Sequence, residues 1–98
     1  MPLAYVVAQI EVTDPAAYEN YKVLSTRAIA ENGGRVLVRG GACERIEGDW
    51  APQRLVVIEF DSVEQAKRFY DSETYRAARQ ARANAANMRL VIAEGVPA

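Results

Sequence analysis

Four strand-length segments of this chain carry apolar side chains on both faces, yet the chain has only enough helix to cover one side of the sheet they would form. Successive side chains of an extended strand point to opposite faces, so each segment can be read in two rows. Residues Tyr5–Val12 put Val6, Ala8, Ile10 and Val12 on one face and Tyr5, Val7, Gln9 and Glu11 on the other. Arg54–Phe60 divides into Arg54, Val56, Ile58 and Phe60 against Leu55, Val57 and Glu59. In Arg35–Arg39, Val36 and Val38 alternate with Arg35, Leu37 and Arg39, and Gly40-Gly41 ends the strand or bulges it. The last strand, Met88–Glu94, sets Leu90 and Ile92 against Arg89, Val91 and Ala93.

Between these segments lie helix signals. Asp14 is a good N-cap, and Pro15 follows at the first helical position, where its missing N–H costs nothing. Ala17, Tyr21, Leu24 and Ala28 then form one apolar stripe, and Asn32-Gly33-Gly34 stops the helix. Ser62 opens a second helix, with Gln65 three residues on completing a capping box. A break at Asp71-Ser72 lets Ser72 cap a new turn, and an Ala- and Arg-rich helix runs from Glu73 to about Ala86. Residues 42–53 form a polar connection punctuated by Gly48 and Pro52, with Trp50 standing in it.

The order β-α-β-β-α-β predicts an α+β, ferredoxin-like fold in one domain, residues 1–98. It is an antiparallel four-stranded sheet with the helices on one face. The uncovered face would hold Val7, Leu37, Leu55, Val57 and Val91 beside Gln9, Arg39, Glu59 and Arg89, which is about half apolar. A solvated antiparallel face is mostly polar, and a contiguous apolar patch calls for a cover. A second copy of the chain across a two-fold axis supplies one, so the expected state is a homodimer.

The segments Gly33–Gly41, Glu47–Trp50, Arg54–Phe60 and Phe69–Tyr75, together with Arg82, resemble in order the domain of unknown function family 1330. That family is similar to the dimeric α/β-barrel superfamily, whose members pair two ferredoxin-like sheets face to face around a pocket. The superfamily includes haem-degrading enzymes, cofactor-free monooxygenases of phenols and quinols, lactone isomerases and proteins without known activity. The resemblance therefore implies the architecture and leaves the chemistry open.

Composition narrows that chemistry. There is no histidine, so the usual neutral-pH proton carrier and commonest metal or haem ligand is missing. One cysteine, Cys43, allows neither an intrachain disulfide nor a cysteine-based zinc cluster. No metal site and no cofactor are expected. The net charge of −1 gives no general attraction to nucleic acid, and no apolar run reaches the ~20 residues of a membrane span. The start, Met1-Pro2-Leu3-Ala4, has no basic and long apolar stretch of a secretory signal, so a cytoplasmic location is expected. The cationic residues are ten Arg against two Lys, a bias toward planar forks that hold carboxylates.

Six residues stand out as candidates for binding: Tyr18, Arg39, Trp50, Glu59, Tyr75 and Arg82. Arg39 and Glu59 fall on the same open face in this reading. They form either a buried ion pair that fixes the dimer, or an anion anchor with an orienting or general-base carboxylate, and both are the catalytic candidates. Tyr18 and Tyr75 belong to an aromatic group that either packs the core or turns hydroxyls to a pocket. Trp50 caps that pocket or clasps the partner subunit. Arg82 lies on the inward side of the stripe Arg76, Arg79, Arg82 and braces the dimer or the pocket. The expected function is a homodimer binding a small acidic or phenolic molecule, with proton transfer or cofactor-free oxygenation as its chemistry. The alternative is a non-catalytic ligand-binding or stress-linked accessory dimer.

Overall fold

The computed structural model describes residues 2–97; Met1 and Ala98, the ends of the expected domain, lie outside the described residues. The elements are β1 (Ala4–Val12), α1 (Pro15–Glu31), β2 (Arg35–Gly41), β3 (Arg54–Phe60), α2 (Val63–Asp71), α3 (Glu73–Ala81) and β4 (Ala86–Glu94). The strands form one antiparallel sheet in the order β2-β3-β1-β4, the ferredoxin-like arrangement expected from the element order. Val6, Ala8, Ile10, Ile58 and Phe60 point under the helices and are buried.

The helix starts follow local hydrogen bonding. Asp14 Oδ1 accepts the Ala17 N–H at 3.2 Å, with Pro15 in the first turn. At the other end of α1 the chain reverses at Gly33, whose φ of +74° is costly for any residue with a Cβ. Ser72 serves two helices: its Oγ donates to the Phe69 carbonyl at 2.7 Å, closing α2, and accepts the Tyr75 N–H at 3.2 Å, opening α3. Gln65 departs from the expected box. Its Oε1 accepts from Asp61 N rather than from Ser62 N, and its Nε2 donates to the Asn32 carbonyl at 2.7 Å. One side chain thus ties the start of α2 to the end of α1.

The Ala-rich segment gives up its last turn. α3 ends at Ala81, not near Ala86, and β4 starts two residues earlier than Met88. The Ala85 carbonyl accepts from both Thr13 and Asp14 N–H groups at 2.8 and 3.0 Å, and Ala86 pairs with Val12. Strand pairing at β1 outweighs helix propensity here. Aromatic stacking fills the centre of the core: Phe60 and Phe69 lie 5.1 Å apart, Phe69 and Tyr75 4.5 Å, all three rings almost wholly buried. Each such side chain contributes about 1.5–3 kcal/mol of burial.

Among the described residues no helix covers the other face of the sheet. Registers place Val38, Val57, Val7 and Val91 in one row across all four strands, with Val91 60% exposed. Among the described residues no helix is long and apolar enough to cross a membrane.

Candidate functional site

The site originates in an irregular edge strand. Val36 pairs with Ile58, but the next pair is Val38 with Val57, so Leu37 is an extra residue in β2. Arg39 then pairs with Val56, a helix-facing position, and a second irregularity at Gly40 brings Gly41 opposite Leu55. The first bulge reverses the facing of Val38 and Arg39, and the second restores the phase at Gly41. Val38 joins the open face instead of the helix face, and Arg39 moves from the open face to the helix side.

There Arg39 lines a cavity of about 340 Å³ between α1 and the sheet. α1 packs chiefly against α3, which leaves this space above the strands. The floor is aliphatic, with Val6, Ala8 and Ile10 of β1 and Ile58 of β3. The helix side supplies the phenols of Tyr18, Tyr21 and Tyr75. Its volume falls within the range of small-molecule sites.

A second guanidinium enters from β3. Arg54 shares its strand face with Val56 and Ile58, lines the cavity, and lies with its guanidinium carbon 5.7 Å from the Tyr18 ring centroid. Its Nε is shielded from solvent and has no hydrogen-bond partner. Gly40 makes the room. Its φ is +65°, and a Cβ built there would sit 2.6 Å from Arg54 Nη2 and 2.9 Å from Nε, inside any normal contact. Neither Arg39 nor Arg54 has a carboxylate within ion-pair distance among the described residues, and none lines the cavity. Lys22, also at the cavity, is paired with Glu19 at 3.0 Å.

Two of these phenols, Tyr21 and Tyr18, are held protonated. Burial pushes the Tyr21 hydroxyl far above its ordinary pKa, reinforced by Tyr75, whose hydroxyl lies 2.9 Å away. Burial also raises Tyr18, partly opposed by the Arg54 charge. The cavity therefore offers two cationic forks, phenol hydroxyls and apolar walls. It contains no carboxylate, imidazole or thiol to serve as a base near neutral pH. Such a lining has the chemistry to hold and polarise an anion.

The six candidates separate. Tyr18, Arg39 and Tyr75 meet at this cavity, although Tyr75 is only 2% exposed and is as much core as lining. Glu59 does not join them: it stays on the open face and accepts from Arg35 Nε at 2.8 Å, while Arg35 also reaches Asp61 at 3.0 Å. The expected Arg39–Glu59 pairing is replaced by Arg35–Glu59: the register sets Arg35, not Arg39, opposite Glu59, and the Leu37 bulge also turns Arg39 to the other face. Trp50 is 59% exposed, and its indole N–H donates to Gln9 Oε1 on the open face, away from the cavity. Arg82 lines a separate cleft with Tyr70 and Leu90. Arg54 was not singled out by sequence, though a lone arginine heading the apolar row Val56, Ile58, Phe60 is a readable signal. Nothing in the alternating Val36-Leu37-Val38 announces the first bulge.

Among the described residues no group of three His, Cys, Asp or Glu side chains could hold a metal ion. No curated protein matches the chain in sequence. Among solved structures, a protein of unknown function from Rhodopseudomonas palustris superposes with a TM-score of 0.78 at 18% identity, covering 99% of this chain and 85% of its own. SnoaB from Streptomyces nogalater, a cofactor-independent oxygenase, gives 0.71 at 12% identity over 100% and 97%. A dimeric ferredoxin-like protein of unknown function from Thermobifida fusca gives 0.63 at 16% over 95% and 91%. These likenesses establish the fold. The sequence model of one family, a domain of unknown function (DUF1330), matches residues 3–96, and the chain belongs to that family.

Proposed function

We propose that this protein binds a small, partly apolar organic anion, an aryl carboxylate or a phenolate, in the cavity between α1 and the sheet. The observation that carries this reading is the pair Arg39 and Arg54 on an apolar cavity with no carboxylate beside them. The half-buried Arg54 guanidinium, its Nε shielded beside low-dielectric walls, is costly without a counter-charge, and a ligand anion supplies one, with the exposed Arg39 at the rim. The ring of the ligand packs on Val6, Ala8 and Ile58, and its charged end meets the two forks, with the Tyr18 hydroxyl as a further neutral donor. Titration calorimetry with 4-bromobenzoate, against neutral 4-bromobenzyl alcohol, tests it. The carboxylate binds at least tenfold more tightly, and Arg39→Gln or Arg54→Gln removes most of that margin. Equal binding of the two compounds sinks the proposal.

One observation favours a catalytic version of the same site. The cavity lacks a neutral-range base, so chemistry there depends on a substrate held as its own anion. Two arginines that stabilise a phenolate favour its electron-rich form for reaction with dioxygen, and a structural neighbour is a cofactor-independent oxygenase. Oxygen uptake on adding electron-rich phenols to metal-free protein, abolished by Arg39→Gln, distinguishes turnover from binding alone. Binding without oxygen uptake leaves the ligand-binding role.

We also infer that the working form is a homodimer joined through the open face. Support comes from the uncovered row Val38, Val57, Val7 and Val91 and from neighbours of this fold described as dimeric. The Trp50 loop, held to Gln9 on that face, is within reach of a partner there.

A further inference from the structure

The arginine stripe of α3 is not used by the cavity beneath α1. Arg76 is exposed, whereas Arg79 and Arg82 are half-buried, and the Nε of each is shielded from solvent without a hydrogen-bond partner. Neither has a carboxylate within ion-pair distance among the described residues. Arg35 shows the contrast: it carries two carboxylates at 2.8 and 3.0 Å. What faces the two α3 arginines instead is aromatic. The Arg79 guanidinium carbon is 4.2 Å from the Tyr70 ring centroid, and that of Arg82 is 5.7 Å from the Tyr21 centroid. A guanidinium stacked on a ring keeps its in-plane N–H groups for another acceptor.

Beside them a cleft of about 340 Å³ opens between the helices and the edge strand β4, lined by Tyr70, Arg82, Met88, Leu90 and Ile92. Met88, Leu90 and Ile92 alternate along β4, so they form a continuous aliphatic and thioether floor roughly 13 Å long. The cleft is thus amphipathic along one axis, with an apolar strip that ends at a cation.

We propose that this cleft is a second ligand site, separate from the cavity under α1, and that it takes an aliphatic carboxylate. The alkyl chain lies on Met88, Leu90 and Ile92, and the carboxylate meets the Arg82 fork, with Arg79 one helical turn away on the ring of the lining residue Tyr70. An extended alkyl chain suits the length of the floor, roughly 13 Å along β4. Among the described residues Leu90 lines both sites, and Tyr21 of the first cavity touches the cleft through Met88 Sδ at 4.0 Å and through Arg82, so the Arg39 variant is the control that tells the two apart.

The chain has two methionines, Met1 and Met88, so methyl-labelled methionine gives a direct probe of the cleft. Titration with octanoate is expected to shift the Met88 methyl resonance saturably, and neutral 1-octanol at the same concentrations to do so at least tenfold more weakly. Arg82→Gln is expected to weaken the octanoate isotherm tenfold or more, while Arg39→Gln leaves it within twofold. If Arg82→Gln fails to fold, Arg79→Gln reads the same site, with a loss of fivefold or more expected. An unmoved Met88 resonance overturns the proposal. So do equal affinities for octanoate and octanol, unchanged affinity in the arginine variants, or a loss on Arg39→Gln as large as on Arg82→Gln.

Discussion

Gly40→Ala separates the backbone role of the second β2 bulge from its role in placing Arg54. The added methyl has two consequences. With φ at +65°, alanine occupies the left-handed region at a cost of about 1–2 kcal/mol. For a domain of this size that lowers Tm by roughly 4–16 °C. The methyl would also lie 2.6 Å from Arg54 Nη2, and the guanidinium, as the free end of a flexible side chain, swings away rather than resisting. A displaced Arg54 loses a charge-assisted hydrogen bond to the ligand worth about 1.5–3 kcal/mol, or roughly 10- to 100-fold in affinity. The assay is a double-mutant cycle with Arg54→Ala, read by thermal unfolding and by 4-bromobenzoate calorimetry. In the wild-type background Gly40→Ala lowers both Tm and affinity. In the Arg54→Ala background it lowers Tm by the same amount and leaves the residual affinity alone. An affinity loss of equal size in both backgrounds, or none in either, refutes the claim that Gly40 acts through Arg54.

Glu59→Gln removes a partly exposed ion pair with Arg35, so stability falls by less than about 1 kcal/mol and 4-bromobenzoate affinity stays within twofold of wild type. A loss matching that of Arg39→Gln would put Glu59 at the cavity after all. Tyr21 gives a pH signature. Its folded pKa is raised, so its contribution to stability is complete below the unfolded phenol value near ~10 and is lost as pH climbs above it, by about 1.4 kcal/mol per pH unit. Urea unfolding between pH 9 and 11.5 is expected to show a steeper decline for wild type than for Tyr21→Phe, and parallel curves contradict it. Light scattering at micromolar concentration is expected to give twice the 10.8 kDa chain mass for wild type and the single-chain mass for Val57→Asp. A 10.8 kDa species for wild type ends the dimer model.

The fold was readable because its signals are local and mutually consistent. Asp14-Pro15, Ser62 and Ser72 each cap the helix their residue type suggests, and the two-residue period of Tyr5–Val12 and Arg54–Phe60 survives intact in the sheet. The site was half-readable. Tyr18, Arg39 and Tyr75 do line the cavity, but Arg39 reaches it by a different face from the one its alternation indicates. A β-bulge depends on how two strands fit after pairing, and one extra residue reverses every later side chain. Leu37 has no composition cue for that role, whereas the glycine pair at Gly40-Gly41 did signal the irregularity beside it. The end of α3 departs from its composition for a related reason: Ala83 and Ala85 favour helix, yet the hydrogen bonds from Thr13 and Asp14 to Ala85 claim the segment for the β1–β4 edge.

The bulged edge strand turns Arg39 into the cavity that Arg54 also lines, and the proposed role of that cavity is to bind an anion. A crystal structure grown with 4-bromobenzoate tests it most directly, because the bromine marks the ligand by its anomalous signal. The account predicts a bromine peak between α1 and the sheet, over Val6 and Ile58, with the carboxylate within hydrogen-bond distance of Arg39 or Arg54. A peak confined to the open face or to the α3–β4 cleft, or an empty cavity at concentrations that saturate binding in solution, contradicts it.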